Sequence, residues 1–169
     1  MKRLTVLRHA KADWPDGADD FDRPLNERGF EEARGMGAEL RSRRIRFDLV
    51  FASSAKRVRE TLIGVAETFG EISINFDDGL YLATERQLLE RVRGASDEAS
   101  SILLVGHNPG LERLIVDLAA DDERGLRNRV AAGFPTAAVA MLEFPVDRWA
   151  EVRRGEADFV DLILARELG

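Results

Sequence analysis

The chain contains no cysteine. Disulfide staples, cysteine nucleophiles and thiolate metal sites are therefore excluded. No apolar run approaches the ~20 residues that span a bilayer. The opening MKRLTVLRHA is too short and too quickly charged for a secretory leader, so a cytoplasmic location and no membrane partner are expected. No internal repeat or low-complexity segment stands out. Positive charge is in deficit: 25 lysines and arginines face 31 aspartates and glutamates, a net charge of −6. An acidic chain binds nucleic acid or anionic membrane poorly. An anion site here must be a local cluster of arginines working against the overall field. Histidine is scarce as well, with only His9 and His107.

What is present is an ordinary globular mix, 44% hydrophobic and 33% charged over 169 residues. That length predicts one domain, 1–169, able to bury a full core without staples. Leu4–Leu7 and Leu49–Ala52 are short apolar runs that read as buried strands, and Ile102–Val105 reads as a central one. Ile72–Phe76 alternates like an edge strand. Thr136–Leu142 and Ala150–Arg153 read as closing strands. Helices are expected after Asn26, after Ser53 and Ser54 as caps, over Thr84–Val92, and from Pro109. Strands alternating with helices predict an α/β protein: a three-layer α/β/α sandwich around a mostly parallel central sheet.

In such sheets, ligands bind outside the carboxyl ends of the strands. The first strand ends in Arg8-His9. The second opens a helix carrying Lys56, Arg57 and Arg59. The fourth ends in GHNPG, Gly106 to Gly110. Both histidines and at least two arginines then converge on one rim, beside two helix N-termini. Guanidinium forks and oriented N–H groups suit a tetrahedral oxyanion, and phosphate fits best. A neutral imidazole is a competent nucleophile. The expected scheme has His9 attack phosphorus while Arg8, Arg57 and a protonated His107 hold the equatorial oxygens. The scheme requires no metal and no cofactor.

Five segments resemble the histidine phosphatase superfamily, also called phosphoglycerate mutase-like, and most closely its SixA-type phosphohistidine phosphatases. They are LRHAK (Leu7 to Lys11), RPLNERG (Arg23 to Gly29), SSAKRVRET (Ser53 to Thr61), VGHNPGLE (Val105 to Glu112) and FPTAAV (Phe134 to Val139). The resemblance implies the phosphoglycerate mutase-like fold, with Arg8 and His9 as its arginine–histidine pair and His9 as the phosphorylated nucleophile. It implies that Arg57 and His107 contact the phosphoryl group and that Arg23 is an extra substrate contact. Ala10 stands where the commoner signature has glycine, as the SixA-type branch often does. Many members carry a glutamate that protonates the leaving group; Glu85, in YLATERQLL, lies in that stretch, within a motif that does not match. A site without a strong acid favours P–N over P–O substrates, because an imidazole with a pKa near ~6.5 leaves easily. The implied partner is a phosphorylated substrate, such as a phosphohistidine-bearing protein of a bacterial signalling relay.

Other readings compete with this one. They are a phosphatase of small phosphate esters, a phosphate-binding module without turnover, and a two-histidine metal hydrolase. The acidic stretch Asp13 to Asp22 reads as a solvated loop, or more sharply as a lid that repels wrong anions or supplies an acid. Trp14 either packs on substrate there or anchors the loop. RGLRNR, Arg124 to Arg129, reads as exposed surface or as a docking patch for an acidic partner.

Overall fold

In the computed structural model, which describes residues 1–168, six strands form one sheet. They are β1 (Lys2–Arg8), β2 (Leu49–Ser53), β3 (Asn75–Asp77), β4 (Ser101–Gly106), β5 (Val139–Phe144) and β6 (Asp158–Ile163). Their order is β3-β2-β4-β1-β5-β6. β1, β2, β3 and β4 pair in parallel, and β5 pairs antiparallel with both β1 and β6. The helices are α1 (Glu27–Ser42), α2 (Lys56–Phe69), α3 (Glu85–Arg93), α4 (Gly110–Leu118) and α5 (Leu126–Ala132). Among the described residues, no helix is long and apolar enough to cross a membrane.

The period-two geometry of a strand divides the core in two. Ile102 and Leu104 of β4 face one layer, with Leu88, Leu89 and Val92 of α3, Leu111, Leu114 and Ile115 of α4, and Leu126 and Val130 of α5. Leu103 and Val105 face the other, with Ala33, Met36 and Leu40 of α1 and Val58, Leu62 and Val65 of α2. A strand covered on both faces must be apolar at every position, which is why β4 reads as an unbroken run. Two helix starts follow local chemistry. The Asn26 side chain accepts from the Gly29 N–H, and Thr84 and Gln87 form a reciprocal capping box.

Four local expectations are corrected. Of Ile72–Phe76, only Asn75 and Phe76 pair with β2, in a strand that runs on to Asp77, while Ile72 and Ile74 pack on the core from a loop. The fifth strand begins at Val139 instead of Thr136, because Ala137 adopts a left-handed φ of 58° and turns the chain under the end of β1. Ala150–Arg153 is no strand. Trp149–Glu151 forms a 3-10 turn that buries the Trp149 indole, whose N–H donates to the Ala99 carbonyl, and the last strand is Asp158–Ile163. RGLRNR is exposed at Arg124, Asn128 and Arg129, as the surface reading expects, but it is not a free basic patch. It opens α5 and buries Leu126 and Val130 one helical turn apart. Arg124 donates to the Phe159 and Val160 carbonyls, Arg127 to that of Val116, and Arg129 pairs with Glu167.

Two motif glycines are there for close approach. A Cβ on Gly29 would stand 2.1 Å from the Lys11 carbonyl oxygen, and one on Gly110 would stand 2.1 Å from that of Ala83. The first brings the loop after β1 against α1, and the second brings the start of α4 against the chain leading into α3. Gly110→Ala is expected to cost about 1–3 kcal/mol through forced backbone displacement. Gly35→Ala, in α1 with open space around it, is expected to be neutral or stabilising by about 0.5–1 kcal/mol. Urea denaturation midpoints at constant m-value check both.

Candidate active site

The carboxyl ends of β2, β4 and β1 lie side by side on one rim. The register pairs Arg8 with Gly106, so the next residue on each strand is a histidine. The rings of His9 and His107 therefore meet, with centroids 5.5 Å apart. Arg57 comes from the first turn of α2, which opens just after Ser53 ends β2. A cavity of about 370 Å³ is lined by Arg8, His9, Asp20, Arg23, Arg57 and His107, among others. At Arg8 it adjoins a second cavity of about 460 Å³ that includes Asn108, Glu112, Phe134 and Arg129. The structure thus brings together Arg8, His9, Arg57, His107 and Arg23. It does not bring Glu85 to them: Glu85 opens α3 and lies outside the lining of either cavity.

His9 is buried, and its Nδ1 lies 2.8 Å from the Ala10 carbonyl oxygen. A carbonyl only accepts, so Nδ1 carries the proton and Nε2 carries the lone pair in the neutral ring. Burial pushes the His9 pKa down to about 4. The charges of Arg8, Arg57 and Arg23 add to this, and the Ala10 hydrogen bond opposes it. His9 is accordingly neutral at pH 7.

His107 has the opposite tautomer. Its Nδ1 lies 3.2 Å from Arg57 Nη2, a group that only donates, so Nδ1 accepts. Its Nε2–H donates to the Ser53 hydroxyl at 2.7 Å. Burial first, then the Arg57 charge, lowers its pKa to about 3. The protonated His107 expected from the charge pattern is corrected here: between a guanidinium and a buried hydroxyl, the ring is held neutral. Ser53, read as a helix cap, spends its hydroxyl on this ring. It also accepts from the Ala55 N–H at 3.3 Å, and α2 has no side-chain cap of its own.

Arg57 is 3% exposed. Its Nη1 donates to the Asp20 carbonyl at 2.6 Å, and its Nη2 donates to Asp20 Oδ2 at 3.1 Å. Asp20 belongs to a 3-10 turn, Asp20–Asp22, within the acidic loop. The Tyr81 hydroxyl also donates to its carboxylate, as does Arg23 Nη1 at 3.3 Å. Burial raises the Asp20 pKa, but the hydrogen bonds from Tyr81 and Arg57 win and bring it down to about 2. The sharper reading of Asp13–Asp22 is thus partly met. The loop reaches the cavity through Asp20, yet the group it supplies is a firm anion and not an acid. Trp14 remains 61% exposed, with the Arg23 guanidinium 4.4 Å over its ring.

The remaining motif residues hold this arrangement. The Phe134 carbonyl accepts from Arg8 at 3.2 Å and from the Asn108 amide at 2.8 Å. The Ala137 N–H reaches the carbonyls of both Arg8 and His9 at 3.1 Å. Thr61 accepts from the Ala10 N–H at 2.9 Å and donates to the Arg57 carbonyl at 2.6 Å, tying the end of β1 to α2. The Nε atoms of Arg8 and Arg57 are buried with no protein partner. Sequence reasoning missed Asp20, Tyr81 and Ser53 as site residues. The one signal available was RPL three residues beyond Asp20, and it does not say which of five loop aspartates turns inward.

The family model for the histidine phosphatase superfamily (branch 1) matches residues 4–81. A solved structure from Agrobacterium tumefaciens, assigned as the phosphohistidine phosphatase SixA, is 34% identical. The match covers 96% of this chain and 97% of that one, with a TM-score of 0.80. The chain belongs to the histidine phosphatase superfamily. It is a phosphatase of that group, with the α/β fold of the SixA structures. A second such structure, from Nakamurella multipartitia, is 26% identical with a TM-score of 0.84, covering 96% of this chain and 95% of that one. An uncharacterized protein of Mycobacterium tuberculosis is 34% identical over 162 residues, 95% of this chain and 100% of that protein.

Two checks follow from the ring environments. Nitrogen-resolved NMR at pH 7 is expected to show His9 as the Nδ1–H tautomer and His107 as the Nε2–H tautomer, both still neutral at pH 5. Stability is expected to fall over the same interval. In the unfolded chain both histidines take up protons near ~6.5, while the folded values are about 4 and about 3. Between those limits the unfolded state binds more protons. The stabilisation is therefore complete above ~6.5 and is lost as pH falls, on the order of 1–2 kcal/mol per histidine between pH 7 and 5. Denaturant midpoints at the two pH values measure it, and His107→Gln is expected to flatten the slope.

Proposed function

We propose that this chain is a phosphohistidine phosphatase that works through a covalent phosphoryl group on His9 and needs no metal. One observation carries the reading. The Ala10 carbonyl holds the Nδ1 proton, which leaves the nucleophilic lone pair on Nε2, in a ring kept neutral beside two guanidiniums and a second imidazole. Nε2 forms a bond to phosphorus. The P–N bond of the substrate breaks, and its electron pair returns to the departing ring, which carries a proton on its other nitrogen and so leaves as neutral imidazole. Water then attacks phosphorus, the P–Nε2 bond breaks, and phosphate leaves with His9 neutral again. Arg8 and Arg57 hold the charge on the equatorial oxygens throughout. His107, held neutral, positions Arg57 through the bond that its Nδ1 accepts from Nη2.

The choice of substrate rests on the carboxylates. Asp20 is the carboxylate lining the reaction cavity, and at a pKa of about 2 it has no proton to give. An alkoxide leaving group requires one, whereas an imidazole does not. The whole-chain likeness to structures assigned as phosphohistidine phosphatases supports the same substrate. A phosphohistidine on a protein suits a site whose cavity runs on past Arg8 into a second one of about 460 Å³, with room for the chain that carries the imidazole. Metal independence follows from charge: the guanidiniums of Arg8, Arg23 and Arg57 already surround the reacting centre and repel a divalent cation.

The test compares a phosphohistidine peptide, phosphoramidate and an alkyl phosphate under identical conditions, with and without chelator. P–N donors are expected to turn over far faster than the ester, unaffected by chelation. An acid-labile, alkali-stable phosphoenzyme is expected on His9 and is absent in His9→Ala. Arg57→Ala is expected to lower kcat roughly 10²–10³-fold, the loss seen for single oxyanion donors. Equal turnover of the alkyl ester, or undiminished activity in His9→Ala, would falsify the proposal.

A further inference from the structure

The resting site already contains an anion, and it belongs to the protein. Both hydrogens of Arg57 Nη2 are committed, one to Asp20 Oδ2 at 3.1 Å and one to His107 Nδ1 at 3.2 Å. Nη2 is shared by the two faces through which a guanidinium grips an oxyanion with parallel N–H bonds, Nη1 with Nη2 and Nε with Nη2. Nη1 in turn is engaged by the Asp20 carbonyl at 2.6 Å. While Asp20 stays in place, neither face can offer a phosphoryl group two bonds. Arg57 Nε is buried without a partner, so one prong of the Nε and Nη2 face stands ready and the other is taken.

Asp20 is also placed to let go. It lies on a loop turn between β1 and α1, and its side chain is 30% exposed, against 3% for Arg57. Its carboxylate keeps other donors when Arg57 leaves it, because Arg23 Nη1 already reaches Oδ1 at 3.3 Å and the Tyr81 hydroxyl reaches Oδ2. Release from Arg57 is therefore an exchange of partners and not the stranding of a charge.

We infer that Asp20 is a displaceable internal ligand of Arg57, which an incoming phosphoryl group must replace and which reclaims Arg57 when phosphate leaves. The inference rests on the reading of this cavity as a phosphoryl site. Its consequence is weak retention of the product: the protein's own carboxylate competes with free phosphate for the same donors. Asp20 is thus a residue that tunes affinity by acting through Arg57.

Calorimetric titration with inorganic phosphate at pH 8 tests it on wild type, Asp20→Asn, Asp20→Ala, Arg57→Ala and Asp22→Asn. Asp22 is exposed on the same turn, so its variant removes an equal charge without touching Arg57. Both Asp20 variants are expected to bind phosphate about tenfold more tightly or better, the worth of a charge-assisted hydrogen bond. Phosphate inhibition of turnover is expected to strengthen in parallel. Asp22→Asn should stay within about twofold, the small effect of a solvent-screened charge. A second readout needs no substitution: in wild-type crystals with vanadate, Asp20 Oδ2 is expected beyond hydrogen-bond reach of Arg57 Nη2. Unchanged or weaker phosphate binding in the Asp20 variants, with binding still lost in Arg57→Ala, overturns the inference and leaves the phosphoryl site standing. Equal tightening in Asp22→Asn overturns it too, as a field effect. Phosphate binding that ignores Arg57→Ala overturns both readings.

Discussion

Taking a guanidinium out of water costs several kcal/mol unless its hydrogens find acceptors. Arg57 is buried on the first turn of α2, and the acceptors it finds are the Asp20 carbonyl, the Asp20 carboxylate and His107 Nδ1. The rest of the site follows from that one cation. It fixes the tautomer of His107, because a donor facing Nδ1 leaves the proton on Nε2. It helps keep both imidazoles neutral, and it keeps Asp20 ionised. It also draws the acidic loop over the cavity, which places one aspartate of a net-negative chain among the arginines that line it.

On the proposed reading, the protein reconciles two opposing demands. A nucleophilic histidine must be neutral at working pH, and a phosphoryl site must be positive. Burial and the arginine charges both lower the His9 pKa, so the positive charge that attracts the substrate also supplies the free lone pair that attacks it. The Ala10 carbonyl works slightly against this by favouring the protonated ring, yet in return it decides which nitrogen is free. Specificity arises from the same balance. Asp20 is too stabilised as an anion to act as an acid, and on the proposed reading this favours leaving groups that depart without one.

Much of this was legible beforehand, and the legible parts share a cause. β4 announces itself because a strand covered on both faces can carry nothing polar. The starts of α1 and α3 are visible because Asn26 and Thr84 cap residues three positions away. Arg8, His9, Arg57 and His107 could be proposed together because parallel strands put their carboxyl ends on one rim. The parts that were missed also share a cause. β6 carries aspartates at Asp158 and Asp161, as an edge strand can, and so lost the apolar pattern. α5 is too short and too rich in arginine to read as a helix until Leu126 and Val130 are seen buried. Asp20, Tyr81 and Ser53 join the site through contacts with Arg57 and His107, from segments with no local mark of that role.

Taken alone, then, the order of residues determined the alternation of strands and helices, the shared rim, and which histidines and arginines interrupt apolar runs at strand ends. Those are local properties, set by backbone periodicity and by side chains a few positions apart. Only the tertiary structure decided that Arg8 pairs in register with Gly106, so that two imidazoles stand side by side. It alone decided their opposite tautomers, their neutrality, and the hold of Asp20 on Arg57. Protonation depends on burial and on the nearest charges, and here those charges come from distant parts of the chain that only folding brings within hydrogen-bond reach.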